Sequence, residues 1–432
     1  MMRRHMRLTF AAAAAALLLL PAAAGAQTYP EPKEPGKIAP KPKGPFKTHT
    51  VCKKGKCDFR SIQKAVNKAK AGDKIVVRKG VYKEQVTISG KAKRYLRIVG
   101  DRKRPKRVVL EGSNKKQNGF FVNGADQVTI DGFMARNYKA NGFFVVNAVG
   151  YKLTHLVAAK TGVYGVYAFN SKGGEMSHSE AYYVSDAGFY IGQTPQQAKP
   201  IRSVVRDVSS WGNPIGFSAT NMRYVTITQS EFFNNGMGIV PNALESEKFP
   251  PAEANVITDN DVFWNNFNFH EGAPFKPKNS GVVPLVPIGT GILLLGGRTN
   301  TVENNRVYGN YLVGVAAVEG ILLDKTIEAR ALIGNRITGN TFGAGGEDLN
   351  GRDLAYDGNG SDNCWGPNTG VQNTLPADGS VYASCPFSGA NAFSKPAQDE
   401  LVGYAGPNAL KGWIKHPHKA KAGYTPLEVY EK

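Results

Sequence analysis

Cysteine, methionine, tryptophan and histidine are sparse in these 432 residues, with four Cys, seven Met, four Trp and seven His. So few soft ligands, with no His spaced to accompany a cysteine pair, speak against a zinc centre. No stretch beyond the N-terminus has the length and apolarity of a spanning helix. No phosphate-binding loop, dinucleotide fingerprint or nucleophile elbow is present, so the chemistry those motifs carry is not indicated. Leu-x-x-Leu-x-Leu and an extended 3.6-residue period are also missing, which excludes leucine-rich and helical solenoids. What the chain does have is glycine, 49 residues, and 41% hydrophobic residues. That combination means many tight turns around a buried core, in a chain that is not mostly helical.

The charge is one-sided. The net charge is +20. Residues 27–118 carry 27 basic and 7 acidic side chains, whereas residues 119–432 carry 24 and 27. A basic end can attract an anionic wall polymer, an acidic polysaccharide or a membrane surface without specificity; as a plain solvated surface it needs no partner. Export makes nucleic acid an unsuitable partner. Arg3, Arg4 and Arg7, the apolar stretch Phe10 to Leu20 and the small-residue site Ala24-Gly25-Ala26 read as a secretory signal. The expected organisation is a signal peptide over 1–26, a Pro/Lys-rich tether over 27–50, and a disulfide turn with a capping helix over 51–74. A solenoid follows over 75–390, then a C-terminal tail or cap over 391–432. The protein is expected outside the cytoplasm, secreted, periplasmic or on the cell surface. In an oxidising compartment two disulfides are favoured, and sequence neighbours give Cys52–Cys57 and Cys364–Cys385 as the preferred of three pairings.

Periodicity sets the fold. Gly119-Phe120-Phe121-Val122, Gly142-Phe143-Phe144-Val145, Gly165-Val166-Tyr167-Ala168 and Gly188-Phe189-Tyr190-Ile191 place their glycines 23 residues apart. The series continues at Gly216, Gly238, Gly291 and Gly314, with loops inserted in the longer intervals. Each coil holds two or three short alternating runs, such as Phe120–Val122, Val128–Ile130 and Phe133–Ala135. Three short strands per coil of this length specify a right-handed parallel β-helix of roughly ten coils, each strand pairing with its equivalent about 4.8 Å away. At the turn after the second strand, Gly132, His155, His178 and then Arg206 fall in register, followed by Asn260, Asn304-Asn305 and Asn335. Asparagine tolerates the left-handed conformation and can bond the same amide one coil along. His155 and His178 should lie one above the other, as part of a turn ladder or as an acid-base or metal site. Residues 58–71 carry a helical period, with Asp58 as N-cap and Gly72 as terminator, and would cap the first coil.

The run Phe59-Arg60-Ser61-Ile62-Gln63-Lys64-Ala65-Val66, then Gly72-Asp73-Lys74-Ile75-Val76-Val77 and Gly80-Val81-Tyr82, resembles the opening of secreted β-helix proteins of the pectate-lyase-like superfamily. Gly238-Ile239-Val240-Pro241-Asn242 and Asn363-Cys364-Trp365 resemble exported bacterial proteins with parallel β-helix repeats. The resemblance spans about residues 50–390. It implies glycan ligands, activities that range over lyases, polygalacturonases, pectin methylesterases and uronan epimerases, and a binding face on the outside of the first strand's sheet. Copper delivery, seen among some exported β-helix proteins, is disfavoured by the scarcity of Met and Cys.

On that face the outward row reads Phe121, Phe144, Tyr167, Tyr190, Ser218, Val240, Leu293, Ala316. It contains no Asp, Glu, Lys, Arg or His, so the paired carboxylates of glycoside hydrolysis are missing from it. Its four rings are the expected substrate-binding ribbon, able to stack on sugars. Insertions over 241–256 and 269–290 should wall a pocket beside it. They carry the candidate catalytic groups Glu245, Glu247, Lys248, His270 and Glu271. A lyase needs a base, an acid and charge neutralisation, which such residues could supply. Asp357-Gly-Asn359-Gly-Ser361-Asp362 suggests calcium, but Asp362 stands where an EF-hand loop has Gly, so a tight loop is expected and no cofactor or metal. The expectation is a monomeric protein that binds or processes an extracellular, possibly anionic, polysaccharide. The alternative is a non-catalytic wall- or surface-associated protein.

Overall fold

The computed structural model describes residues 37–406, apart from 245–246, 271–272, 280, 323–326 and 344–348. The expected signal peptide, most of the expected tether and the end of the expected tail lie outside the described residues. Between them the chain winds as a right-handed parallel β-helix. Eleven strands stack in the first sheet, from Val86–Ser89 through Asn118–Asn123, Asn141–Val146, Tyr164–Phe169 and Ala187–Gly192 to Thr374–Leu375. Their ladders are parallel and in register with the 23-residue period: Phe121 pairs with Phe144, Phe144 with Tyr167, and Tyr167 with Tyr190.

The repeat glycines have a steric cause. A Cβ on Gly119 would stand 2.4 Å from the carbonyl oxygen of Gly142, and one on Gly165 would stand 2.5 Å from that of Gly188. Neighbouring coils approach too closely at this corner for any side chain. One residue further on, Phe120, Phe143, Val166, Phe189 and Phe217 point inward and join one continuous core.

The second and third strands of the early coils form single long strands, such as Tyr151–Ala159 and Ser203–Trp211, bent at one left-handed residue. Those residues are Gly132, His155, His178 and Asp207, all at positive φ. The fourth member is therefore Asp207 and not Arg206, because the coil's insertion is one residue longer than the spacing suggested. Arg206 instead lies in the strand and pairs with Glu175 at 2.8 Å. Buried just inside the bend of the later coils, Asn260, Asn305 and Asn340 form a ladder, in which the Oδ1 of Asn305 and of Asn340 accepts both the backbone N–H and the side-chain amide of the asparagine before it. Asn335 belongs to a different ladder, Asn255–Asn300–Asn335–Asn363. A third runs Asn213–Asn235–Asn265–Asn310–Asn350. Each ladder satisfies turn amides that no strand could reach.

The N-terminal helix is shorter than its period suggested, Ile62–Lys68, and buries Ile62, Ala65 and Val66 in the core. Its N-cap is Ser61, whose hydroxyl accepts from the Lys64 N–H at 3.2 Å. Asp58 is engaged elsewhere: its carboxylate accepts from the Thr50 N–H and hydroxyl. Residues 48–50, expected in the tether, are part of a strand Thr48–Val51 that pairs with Lys74–Val77. Both expected disulfides are formed, Cys52–Cys57 and Cys364–Cys385. Part of the expected tail is a helix, Lys395–Gly403. No helix among the described residues is long and apolar enough to cross a membrane.

Candidate active site beside the first sheet

The outward row of the first sheet is covered. Phe144, Tyr167 and Tyr190 are only 1%, 3% and 4% exposed, and Phe121 is half-buried. The expectation of an open aromatic ribbon is thus corrected: inserted loops and neighbouring rings close over it. Phe144 stacks between Phe121 at 5.2 Å and Tyr167 at 4.5 Å. Tyr164 packs on both Tyr167 and Tyr190, with centroids 4.7 and 4.4 Å away. Further along the same face, Val240, Leu293 and Ala316 line a small apolar cavity of about 50 Å³ beneath Leu285, Val286 and Leu401. The 269–290 insertion therefore contributes a wall there. No described residue of 241–256 lines that cavity, because the latter loop turns to the other end of the strands. Its carbonyls at Leu244, Glu247 and Lys248 accept from the Asn221 side-chain amide.

The predicted catalytic groups do not all converge. Lys248 is exposed, and its backbone N–H donates to Gln193 Oε1 at 2.7 Å. His270 lies exposed against the Phe269 ring, 4.3 Å away. Glu245 and Glu271 lie outside the described residues. Glu247 is the one drawn inward. Burial pushes its carboxyl up to about 7, against smaller opposing effects of a backbone hydrogen bond from Gln193 and the Lys278 charge. Its charge and, above all, burial raise the Tyr190 phenol well above its ordinary value.

Three residues that sequence reasoning missed complete a polar cluster at the opposite end of these strands. Asp186 is buried just before strand Ala187–Gly192, and its Oδ2 accepts from Lys278 Nζ at 3.0 Å. The Tyr164 hydroxyl also bonds this carboxyl, and the Lys278 ammonium lies 5.5 Å above the Tyr164 ring. Burial raises the Asp186 pKa, while Lys278 and Tyr164 hold it back. The Lys278 backbone N–H donates to the Ser185 carbonyl at 2.8 Å, which seats the inserted strap on the turn. Ser185 and Lys278 border an open cleft whose rim carries Lys139, Lys160 and Lys276. A buried carboxyl, a phenol and an amine in mutual contact, next to a concentration of lysines, can exchange protons and neutralise an acidic ligand. One signal was available: two residues before the repeat glycine the neighbouring coils have Ala140, Val163 and Pro214, and this coil has Asp186. Lys278 lies 92 residues away and gave none.

The Asp357–Asp362 loop uses its carboxylates internally. Asp357 accepts from the backbone of Glu319 and Asn359, and Asp362 from Gly389. Among the described residues no group of three or more His, Cys, Asp or Glu could hold a metal ion.

A family model described as right handed beta helix region matches residues 141–374, more than half the chain, and the protein belongs to that family. A pectinesterase model matches residues 48–170. Among solved structures, the A-module of a mannuronan C-5 epimerase of Azotobacter vinelandii is similar in fold. It shares 15% identity over 70% of this chain and 87% of that one, with a TM-score of 0.51. A pectate lyase shares 13% identity, covering 80% and 82% of the two chains, with a TM-score of 0.40. A rhamnogalacturonan lyase shares 16%, covering 76% and 84%, with a TM-score of 0.41. No curated protein matches by sequence.

Proposed function

We propose that the protein binds or processes an extracellular acidic polysaccharide, with lyase-type cleavage at the cleft beside Asp186. The observation that carries this reading is the buried Asp186–Tyr164–Lys278 cluster, joined through Lys278 and Ser185 to a cleft that Lys139, Lys160 and Lys276 also line. A uronate unit would set its carboxylate among Lys139, Lys160 and Lys276, which lowers the cost of removing the proton beside it. Asp186, made more basic by burial, would accept that C5 proton. The C4–O4 bond breaks, its electrons leave with O4, and the former C–H pair becomes the C4=C5 double bond. Tyr164 would return a proton to O4. The pectinesterase match and the likeness to a mannuronan C-5 epimerase support a carbohydrate substrate. Two disulfides support an oxidising, extracytoplasmic location.

The test is incubation with polygalacturonate, alginate and glucuronoxylan while following the ultraviolet absorbance of unsaturated ends. Tyr164→Phe should lower the rate by about 100-fold or more and leave the melting temperature nearly unchanged. If none of the polymers acquires unsaturated ends, the catalytic reading fails. The non-catalytic surface role, favoured by the covered first-sheet face, then takes its place.

A further inference from the structure

A second polar site lies on another side of the solenoid, where the wall bends between the second and third strands. His155 and His178 project from successive left-handed positions there, their rings stacked 4.9 Å apart at 21°. Each has its own carboxylate. His155 Nδ1 is 3.0 Å from Asp131 Oδ1, and His178 Nδ1 pairs with Asp207. The Asp131 side chain is fully buried, and its other oxygen accepts from Arg102 Nε at 2.5 Å. A carboxylate on Nδ1 orients each ring and leaves its Nε2 edge for a ligand.

The loop Arg102–Arg107 folds over this bend. It fits because the preceding left-handed position is Gly132, where a Cβ would stand 2.7 Å from the Asp101 carbonyl carbon. The loop brings Arg102, Lys103, Arg104, Lys106 and Arg107 to one wall of an open groove that His155 and His178 also line. Asp131 takes Arg102, Asp101 takes Arg104 and Arg107, and Glu180 takes Lys106. Lys103 is exposed and has no ion pair among the described residues. Farther along the axis the wall changes sign. Asp207, Gln229, Glu231, Asp259 and Asp261 line the adjoining stretch, which shares Asp207 and Ser209 with the groove, and its one cation, Arg306, is paired with Asp261. Carboxylates there would repel a strand charged along its whole length but accept hydrogen bonds from hydroxyl groups. The groove thus calls for a ligand that is anionic at one end and hydroxyl-rich at the other.

We infer that this groove is a second glycan site, which takes an oligosaccharide carrying one acidic sugar. The acid group sits against His155, His178 and the Arg102–Arg107 loop, and the neutral sugars run along Asp207, Gln229 and Asp259. The inference rests on the groove's own side chains and stands whether or not the Asp186 cleft is catalytic.

Isothermal titration of the mature protein tests it, with a panel of tetrasaccharides each ending in one uronate. Their uncharged parents and singly sulfated counterparts serve as further arms and distinguish carboxylate from sulfate as the recognised group. At least one acid-ended probe should bind about tenfold or more tighter than its parent. His155→Gln with His178→Gln should erase that preference, and Lys278→Ala should leave it unchanged. Lys103→Glu, which breaks no ion pair, should weaken the acid-ended probe alone and keeps the test valid should the double variant fail to fold. Equal affinity for acid-ended and neutral probes, absence of binding across the panel, or a preference that survives Lys103→Glu and the histidine changes overturns the inference.

Discussion

At the scale of single residues, Glu247 shows how burial alone converts a surface-type acid into a group that titrates near neutrality. Its Oε2 has no hydrogen-bond partner among the described residues, and a backbone hydrogen bond from Gln193 and the Lys278 charge offset its desolvation only in part. Its folded pKa of about 7 lies above the ordinary 4.5. The folded state therefore holds this proton more tightly than the unfolded chain does. Stability should be greatest below about pH 4.5, fall as pH rises through the interval to about 7, and level off above it. Glu247→Gln removes the titration while keeping the shape. The variant should match the parent near pH 4 and exceed it near pH 8 by up to about 3 kcal/mol. Denaturant titrations at the two pH values check this, and a parent whose stability rises across the interval would contradict the assignment. Asp186 is raised for the same reason but differs in having Lys278 beside it. One buried acid is left to titrate and the other is held in an ion pair.

At the scale of elements, the solenoid is held by two kinds of row. One is the inward apolar row that follows each repeat glycine, legible in the sequence because every coil repeats it at one fixed offset. The other is the set of asparagine ladders, which were read only in part. Their spacing is present as Asn255-x4-Asn260-x4-Asn265 and again as Asn300-x4-Asn305-x4-Asn310. Those residues occupy three different corners of one coil, so a search along a single corner finds a third of the pattern. The register of the outer aromatic row is legible in the sequence but its environment is not, because Tyr164, which packs on Tyr167 and Tyr190, is a single departure from the repeat and Lys278 reaches its ring from an insertion. A comparable outward row on the third strand, Phe233–Phe263–Tyr308 stacked at 5.0 Å per step, was not anticipated. The ladder makes a firm prediction. Asn305 accepts from the Asn260 N–H and amide and donates to the Ile257 carbonyl and to Asn340. Asn305→Ala strands a buried donor on one side and acceptors on the other. It should cost about 2–4 kcal/mol, whereas the exposed neighbour Asn304→Ala should cost only about 1 kcal/mol, the strain of alanine at its left-handed φ. Similar losses at both positions would mean that the ladder is not what secures the bend.

At the scale of the whole molecule, each coil touches mainly the coils before and after it, so stability is close to a sum of local terms and the ends matter most. The Cys364–Cys385 bridge closes a loop of 21 residues at the C-terminal end. It ties strand Cys364–Trp365, which pairs with Arg336–Ile337, to the loop that contacts the outermost coil. Removing the bridge should release chain entropy worth about 3 kcal/mol in the unfolded ensemble. In a one-dimensional stack that loss is felt where the bridge is, not along the whole length. Cys364→Ser with Cys385→Ser should therefore speed amide exchange in the strands Leu354–Tyr356, Cys364–Trp365 and Thr374–Leu375. The central strands Asn141–Val146, Tyr164–Phe169 and Ala187–Gly192 should keep their protection. The Asp186 cleft rises from those central coils, and the histidine groove lies on the bends beside them. Both should therefore keep their ligand affinities in the double variant, although its apparent melting temperature falls. Hydrogen exchange that accelerates equally in all coils would show that the solenoid unfolds as one cooperative block, and the separation of the sites from the ends would then not hold.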